Sequence, residues 1–518
     1  MSIKYYFISL ILLLHSFSAN AISFPLPSEN YVPAKMPMVL VYPRLDNETQ
    51  SHSRHRWAHP DMPYEVPIGV QGGAWPFKYE IISGPAGAVI GQLYGDENYG
   101  VVSWLPTTST GEESFTIKIT DQELNTITAT WNVTIDANQF IFIDDDSNGA
   151  KIGTIDQPLG SWADWYKGDA SDNTYANKII VFRGGNYSVV GDPVYNGNVE
   201  INTGVKSPSI IGYPGELAIL DCSTAKIFTR GGANVKDIFI ADIKWVNGRQ
   251  DVANAHFFWA TSDVSRSTWW RNQFHNLLPG QVGTDNTSTV FVSDTGTHKN
   301  YFLYKHNTLT EIHNRGYNGS YVEAYGLSYW LVEENTVRNS DSNAGFFGKQ
   351  TVSFATTRAN EAFDNVDGEQ MGFGYNTPTG MGTPHDQEIC WNRVRLPQNN
   401  QGTVGMMWAH NTAYNGKHYN SYIYRNTFVN GSSWIRFKGA ENYEVEGNVV
   451  VSNLLSRWDT SIMNSTIPNV TGKESDGITD QKGLLTGQYR LDFLGIVGHE
   501  ISDVYVTTPK SVESLRID

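Results

Sequence analysis

Charged side chains recur on short β-rich segments, each at nearly the same distance before an asparagine of a recurring series. The next such asparagine lies 13, 12, 11 and 12 residues after Asp294, Glu323, Lys349 and Arg436, respectively. Residues at equivalent positions of stacked strands share one face of a sheet, about 5 Å apart on adjacent strands. We therefore expect these four residues to form one outward column that carries the catalytic groups.

One chemistry that fits this column is β-elimination beside a uronate carboxylate. That reaction needs a base, an acid for the leaving group, and a cation that screens the carboxylate. Lys349, Tyr375 or His410 would serve as base and acid. Arg436 or Lys438 would neutralise the uronate. Because a neighbouring carboxylate raises the pKa of a lysine, Glu323 would oppose the use of Lys349 as a base, and the two residues can equally form a cross-strand ion pair.

A second chemistry that fits is glycoside hydrolysis by paired carboxylates. Asp294 and Glu323 on adjacent strands would suit a retaining pair, whose carboxyl groups lie about 5 Å apart. Both chemistries need a surface on which sugar rings can stack, and aromatic side chains provide it. The residues expected to bind substrate are Tyr325, Tyr375, Trp408, Trp434 and Lys438.

A metal site is a further candidate, in the segment IDDDSNG at 143–149. Asp144 and Asp146 offer the hard carboxylate oxygens that Ca²⁺ prefers, although the spacing of a calcium loop is incomplete. The cofactor is therefore left open, with Ca²⁺ as the candidate.

The elements that position these residues are indicated by an internal repeat. An asparagine followed by a β-branched or aromatic residue recurs at spacings of 35, 28, 25, 32, 34 and 22 residues, with Asn360 as a degenerate copy. The asparagines are Asn272, Asn307, Asn335, Asn360, Asn392, Asn426 and Asn448. The apolar runs between them are too short for helices, and the uneven spacing suits a coil that carries loops of variable length. Asparagines stacked at one turn would bond to each other along the axis, so the repeat predicts a parallel β-helix over 138–460.

Two segments resemble extracellular parallel β-helices of the pectate-lyase-like superfamily. FIFIDDDSNGAKIGTIDQPLGSWADWYKG at 140–168 resembles their opening segment, and SIIGYPGELAILDCS at 209–223 is similar to a turn common among them. This resemblance implies a right-handed parallel β-helix and a polysaccharide-degrading activity. The strand lysine and arginine are similar to those of the chondroitinase B and alginate lyase group. The chain departs from that group because Lys349 lacks flanking strand carboxylates and Arg436 lies several coils away.

The region before the repeat predicts a separate all-β domain over 35–137. Its segments GGAWPFKYEIISGP, GVVSWLP and GEESFTIKITDQELNTITATWNVTI resemble Ig-like or cadherin-like sandwich modules. The fold expected for the whole chain is therefore all-β, with an Ig-like β-sandwich followed by a right-handed parallel β-helix solenoid. Residues 461–518 depart from the repeat and are expected to close the solenoid.

The N-terminus and the composition indicate export. Lys4, an apolar run at 5–14 and the A-x-A pattern ending at Ala21 predict a signal peptide over 1–21. The run is too short to span a membrane, which takes about 20 residues. The formal charge of −16 argues against a nucleic-acid partner, and 17% charged with 13% aromatic residues argues against disorder. Cys222 and Cys390 are either bridged or buried as thiols.

These observations predict a secreted or periplasmic enzyme that degrades a polysaccharide and acts as a monomer. A lyase acting on an acidic, uronate-containing glycan is favoured, because the proposed column is more basic than the whole chain. A glycoside hydrolase and a non-catalytic glycan-binding adhesin remain as alternatives.

Overall fold

The structure is a computed structural model that describes residues 34–392 with gaps and, beyond 392, only the backbone of strands. The gaps are 35, 46–51, 94–95, 168–171, 196, 202–207, 230–234, 249–255, 262–263, 278–287, 294–299, 315–318, 343–344, 350–351, 364–370 and 378–384. A few strand side chains before 392, including that of Lys349, also lie outside the description. The predicted signal peptide lies outside the described residues.

The region up to residue 137 forms small, mainly antiparallel sheets. Alternate residues of its two long strands are buried, and Phe115 stacks on Trp131 with ring centroids 5.3 Å apart. This alternation is the period of a half-buried strand. The strands, grouped by sheet, are Val39–Tyr42 with Gly69–Gln71; Trp57–Ala58, Thr126–Ile135, Gly111–Thr120 and Lys78–Ser83; and Tyr64–Pro67, Val101–Trp104 and Val89–Ile90. Short 3₁₀ turns are Arg54–Arg56 and Ala137–Gln139.

After residue 139 the described chain builds long parallel sheets, here named sheets I, II and III. The strands of sheet I are Phe140–Ile143, Ile179–Phe182, Ser209–Gly212, Val235–Ala241, Val264–Trp270, Phe302–Lys305, Ser328–Glu333, Ser353–Arg358, His385–Cys390, Lys417–Tyr424, Glu444–Glu446, Asn448–Val451 and Val470–Thr471. The strands of sheet II are Gly185–Ser188, Ala218–Asp221, Ile243–Val246, Gln273–Leu277, Thr308–Asn314, Thr336–Arg338, Asp341–Ser342, Glu361–Phe363, Arg393–Arg395, Thr427–Val429 and Leu454–Leu455.

Sheet III is the face on which the sequence places the catalytic column. Its strands are Val199–Ile201, Ile227–Thr229, His256–Thr261, Ser288–Ser293, Val322–Tyr325, Phe346–Lys349, Met371–Thr377, Thr403–His410 and Ser432–Lys438. Outside the sheets lie the helix Trp162–Tyr166, the 3₁₀ turn Pro193–Tyr195 and a pairing of Tyr489–Arg490 with Glu500–Ile501. The chain passes from sheet I to II to III and back, and one such passage is called a coil here. This topology is compatible with a β-helix-like solenoid.

The first strands of sheet I, Phe140–Ile143, Ile179–Phe182 and Ser209–Gly212, are buried on both faces. Ile180 and Phe182 face the core enclosed by the three sheets, whereas Ile179 and Val181 pack with the N-terminal region. A strand that is covered on both sides reads as a continuous apolar run, and the sequence IIVF has that form. The N-terminal region therefore covers the outward face of sheet I.

Buried charges connect the N-terminal region to sheet I. The Arg358 side chain, 1% exposed, lies 2.6 Å from Glu333 Oε2 and donates to the carbonyl oxygen of Val70 at 2.7 Å. Lys305 Nζ lies 2.9 Å from Glu333 Oε1 and 3.0 Å from Glu334 Oε2. Burial would lower the pKa of Lys305, but the two glutamates raise it above its usual value. These charges are therefore retained inside the junction by their partners.

The predicted asparagine ladder is confirmed from Asn272 to Asn392. At each step the Oδ1 atom of one asparagine accepts from the backbone N–H and the side-chain Nδ2 of the asparagine in the preceding coil, at 2.8–3.1 Å. The residue before each ladder asparagine has a φ near +55°. The bend between sheets I and II is thus a repeated left-handed residue followed by a buried asparagine.

Both cysteines are free and buried, which selects one of the two alternatives that the sequence left open. Burial raises the pKa of the Cys222 thiol well above its usual value. In the described part of the chain, no helix is long and apolar enough to cross a membrane.

Candidate functional site

Sheet III contains all the strands that the sequence assigned to the column. The six segments around Asp294, Glu323, Lys349, Tyr375, Trp408 and Arg436 are consecutive neighbours in this sheet. Their order and parallel pairing agree with the prediction. The register within the sheet does not.

Glu323 pairs with Phe291 on one side and Phe347 on the other, whereas Lys349 pairs with Tyr325. Lys349 is therefore two positions further along the strand than the predicted column, although it shares the same face. Arg436 does lie in the column of Glu323, but four strands away.

The predicted alignment was wrong because it counted residues back from the ladder asparagine. That separation is 16 residues for Phe291, 12 for Glu323 and 13 for Phe347. The loop between sheet III and sheet I differs in length from coil to coil, so only the backbone pairing sets the register.

The outward face of sheet III carries a row of aromatic rings. Phe291 lies between Trp259 and Tyr325, with ring centroids 6.4 and 5.1 Å away. Lys226 Nζ lies 4.2 Å from the centre of the Trp259 ring. Trp259 and Tyr325 are half-buried, so part of each ring is exposed. The row therefore has two partly exposed rings, Trp259 and Tyr325, with the buried Phe291 between them and the buried Lys226 at one end.

Two carboxylates of the same column are buried within this face. Glu323 is 0% exposed and Glu200 is 3% exposed. Beside the row, His256 Nδ1 lies 3.0 Å from Ser288 Oγ. Burial, followed by the charge of Lys226, lowers the pKa of His256 to about 3, so this imidazole is neutral at ordinary pH. The carboxylates of Glu200 and Glu323 are therefore enclosed within the face and do not reach the solvent.

Several other predicted residues take positions that the sequence did not anticipate. Tyr375 and Trp408 belong to the register column of Val292 and Ala324, which are buried in the core. The register does not support the prediction that these two positions line a groove.

The remaining predicted residues lie at the margins of the described chain. The column of Tyr325 and Lys349 continues to Lys438, three strands beyond Lys349. His410 and Trp434 lie in other columns of sheet III. Asp294 lies outside the described residues, as do the side chains of Lys349, Tyr375, Trp408, His410, Trp434, Arg436 and Lys438.

The candidate calcium segment forms a compact acidic cluster. One ligand atom from each of Asp144, Asp145 and Asp146 lies within 4.8 Å of the others. Local bonds already use this cluster, since Asp144 Oδ1 accepts from the Asp146 N–H and Asp145 Oδ2 accepts from the Asn186 N–H. Asp145 and Asp146 are exposed. These contacts define an acidic turn and not a complete ligand shell.

A cleft that the sequence did not indicate lies at the bend between sheets I and II. It has a volume of about 380 Å³ and is roofed by Asp96 and Glu97 of the N-terminal region. Its floor contains the left-handed residues that precede ladder asparagines, namely Arg271, His306 and Glu334. The dipeptides RN, HN and EN at the repeat were the available signal, because they place a polar residue beside Asn272, Asn307 and Asn335.

Strong electrostatic pairing organises the floor of this cleft. His306 Nε2 lies 2.6 Å from Glu334 Oε2. Burial alone would raise the pKa of Glu334, but Lys305 and His306 lower it to about 2. Arg271 pairs with Asp242 at 2.7 Å and with Glu65 of the N-terminal region. Sheet III contributes nothing to the described lining, so the cleft and the aromatic row are separate candidate sites.

Comparisons with known proteins do not add to these findings. No protein-family model, curated protein or solved structure matches this chain.

Proposed function

We propose that this chain is a secreted enzyme that cleaves an acidic, uronate-containing glycan by β-elimination on the outward face of sheet III. The single observation that carries the proposal is the aromatic row formed by Trp259, Phe291 and Tyr325. Trp259 and Tyr325 are partly exposed, and the buried Phe291 between them holds them in line, so each of the two rings can stack on a sugar ring of one glycan chain.

The proposed architecture is an Ig-like sandwich followed by a parallel β-helix. One strand per sheet in each coil and the bonded asparagine ladder support the second part. The antiparallel strands before residue 137 and the close packing of Phe115 on Trp131 support the first. Export is proposed from the pattern Lys4, apolar run and Ala21 at the N-terminus.

New roles on this face are proposed from the register of its strands. Tyr325 and Lys349 are direct register partners on adjacent parallel strands, so their backbones are about 5 Å apart. We propose that Lys349 screens the uronate carboxylate, since a positive charge there stabilises the carbanion left when the neighbouring carbon loses its proton. Tyr325 would take that proton, because a neighbouring ammonium favours the phenolate form. The electron pair then forms the carbon–carbon double bond as the bond to the glycosidic oxygen breaks, and that oxygen takes the proton that Tyr325 has removed.

The remaining basic positions suit substrate binding. Lys438 is three strands beyond Lys349 and Arg436 is four strands beyond Glu323, so each lies more than 10 Å from the proposed reacting centre. They would bind uronates further along the same glycan chain. This arrangement replaces the predicted use of Arg436 at the reacting sugar.

The test is an assay of the mature chain on a panel of acidic and neutral polysaccharides. Ultraviolet absorbance of unsaturated uronates and the appearance of reducing ends are followed together. We expect both signals on an acidic glycan, and at least a 100-fold loss of rate in Lys349→Ala. The matched control is Lys244→Ala, which removes a lysine from the outward side of sheet II and should retain the wild-type rate.

Other outcomes identify other functions. Reducing ends without ultraviolet absorbance would indicate a hydrolase and refute the lyase. Binding without either signal would indicate a glycan-binding adhesin. The burial of Glu200 and Glu323 specifically favours that second candidate over a hydrolase, because their carboxylates do not reach the surface of the face.

A further inference from the structure

The cleft between the N-terminal region and the bend of sheets I and II is lined by equivalent positions of successive coils. Gln273, Thr308, Thr336 and Glu361 pair directly across sheet II and form one outward row along its lining. Adjacent members are about 4.8 Å apart. An amide, two hydroxyls and a carboxylate thus follow one another along the cleft.

The cleft has an excess of negative charge. Asp96, Glu97, Glu334 and Glu361 line it, and Arg271 and His306 are the basic residues of its described lining. The charge of Arg271 is already matched, because both Asp242 and Glu65 pair with it. Lys305 is shared between Glu333 and Glu334 behind the floor. The described lining therefore holds four carboxylates against two basic side chains, an excess that favours a positively charged ligand.

An independent observation points to a ligand at the floor. The Glu334 side chain is 5% exposed and that of His306 is 8% exposed, and both line the cleft. Glu334 Oε1 and His306 Nδ1 have no hydrogen-bond partner among the described residues. A buried polar atom without a partner costs about 1–3 kcal/mol, so such atoms are normally satisfied by protein, water or ligand. Two of them in one cleft indicate a place where a polar group binds.

We propose that this cleft binds a small polar molecule that carries a primary ammonium group, of the class of an amino sugar with a free amine. The ammonium donates to Glu334 Oε1 and lies within the field of Asp96 and Glu97. Hydroxyl groups of the ligand bond to the row of Gln273, Thr308 and Thr336. A volume of about 380 Å³ fits a molecule of this size, because ligand pockets begin at about 300 Å³.

The spacing of the acidic groups favours an organic cation over a bare metal ion. Within the described residues, the three acidic side chains that gather closely enough for a metal are Asp144, Asp145 and Asp146, far along the chain from this lining. The carboxylates of the cleft are spread around its wall. An extended ligand with one charge and several hydroxyls can reach separate groups, whereas a single ion cannot.

The experiment is a ligand-observed NMR titration of the full mature chain at low ionic strength. The probes are glucosamine, N-acetylglucosamine and glucose, which share a ring and differ in the amine, together with calcium chloride as a competitor. We expect glucosamine to bind at least tenfold more tightly than either of the other sugars, because only it carries the ammonium. Calcium at equal concentration should not displace it.

Variants locate the binding. Glu97 lies on the exposed roof of the cleft. Glu97→Gln should therefore weaken glucosamine binding two- to fivefold, as expected for the loss of one exposed carboxylate. Glu334→Gln should weaken it at least tenfold, since a buried charge-assisted bond is lost. The control Glu112→Gln removes an exposed carboxylate of the strand Gly111–Thr120, outside the cleft lining, and should not change binding. If Glu334→Gln fails to fold, Glu97→Gln and Glu361→Gln together test the same site.

Four results would overturn the proposal. Equal binding of glucosamine and glucose would show that the amine is not recognised. Absence of glucosamine binding, or binding that is unchanged in both Glu97→Gln and Glu361→Gln, would remove the ligand from this cleft. Displacement by calcium would assign the carboxylates to a metal. None of these results bears on the glycan lyase, whose face is separate from the cleft.

Discussion

Replacing Arg358 by methionine tests whether the buried charges hold the N-terminal region on sheet I. Methionine keeps the length and apolar stem of arginine but removes its charge and its donors. The wild-type guanidinium binds Glu333 at 2.6 Å and the carbonyl oxygen of Val70 at 2.7 Å. Burial would lower the pKa of Arg358, but Glu333 raises it well above its usual value, so the arginine is charged in the folded protein.

The expected loss follows from these two contacts. Removing one partner of a buried ion pair costs about 3–5 kcal/mol. The lower end applies here, because Glu333 keeps Lys305 at 2.9 Å. The lost bond to Val70 adds about 1 kcal/mol. We therefore expect Arg358→Met to lower the free energy of unfolding by about 4 kcal/mol, which is a large share of the stability of a typical domain.

The assay is thermal unfolding followed by calorimetry and by tryptophan fluorescence. A loss of this size should lower the unfolding midpoint by about 5–10 °C. Limited proteolysis should also cleave between the two regions sooner than in the wild type. Arg338→Met is the matched control, because Arg338 is exposed on sheet II, and it should change stability by less than about 0.5 kcal/mol.

The reasoning would be refuted if Arg358→Met and Arg338→Met had the same midpoint within 1 °C of the wild type. A second check is the double variant with Glu333→Gln. Because the two residues share one network, their effects should not add, and additive losses would mean that each acts elsewhere.

Three further predictions concern the ladder, an acidic group and the thiols. Asn335→Ala should cost about 2–4 kcal/mol in urea unfolding, and more than Asn272→Ala, because Asn335 lies inside the ladder and bonds to asparagines on both sides. The pKa of Glu334 is about 2 in the folded protein, below its value in the unfolded chain. The charged carboxylate therefore contributes its full stabilisation above pH 4.5, and this contribution is lost as the pH falls towards 2. The difference in thermal unfolding midpoint between wild type and Glu334→Gln should vanish over that pH range. Cys222 and Cys390 should not react with a thiol reagent in the native protein, and both should react after denaturation. Fewer than two reactive thiols per denatured chain would contradict their assignment as free.

The repeat was predictable because its signal is local. Each ladder asparagine precedes a short strand, and both features are visible in neighbouring positions of the sequence. The six strands of sheet III around Glu323 were predictable for the same reason. The apolar pattern within each of these strands does not depend on how the strand pairs with neighbouring coils.

The register was not predictable from these signals. Lys349 pairs with Tyr325 and not with Glu323. The loops that follow the strands of sheet III differ in length, and the backbone hydrogen bonds between strands form independently of those lengths. The burial of Glu323 was also hidden, since a glutamate on the outward side of a strand is ordinarily solvated.

The cleft depends on contacts between distant parts of the chain. Asp96 and Glu97 are more than two hundred residues from His306 and Glu334 in the sequence, and no pattern in either segment predicts that the two segments meet. They meet because the N-terminal region covers the apolar outward face of sheet I, which brings its turn over the bend between sheets I and II.

The sequence by itself therefore determined the all-β character, the strands and the asparagine at each coil. These follow from residue type and short-range periodicity, which act within one coil. Only the tertiary structure decided which charges face each other, that Arg358 joins the two regions, and that a polar cleft lies between them. Those outcomes depend on backbone pairing between coils and on burial against a distant surface, and neither is encoded in the spacing of residues along the chain.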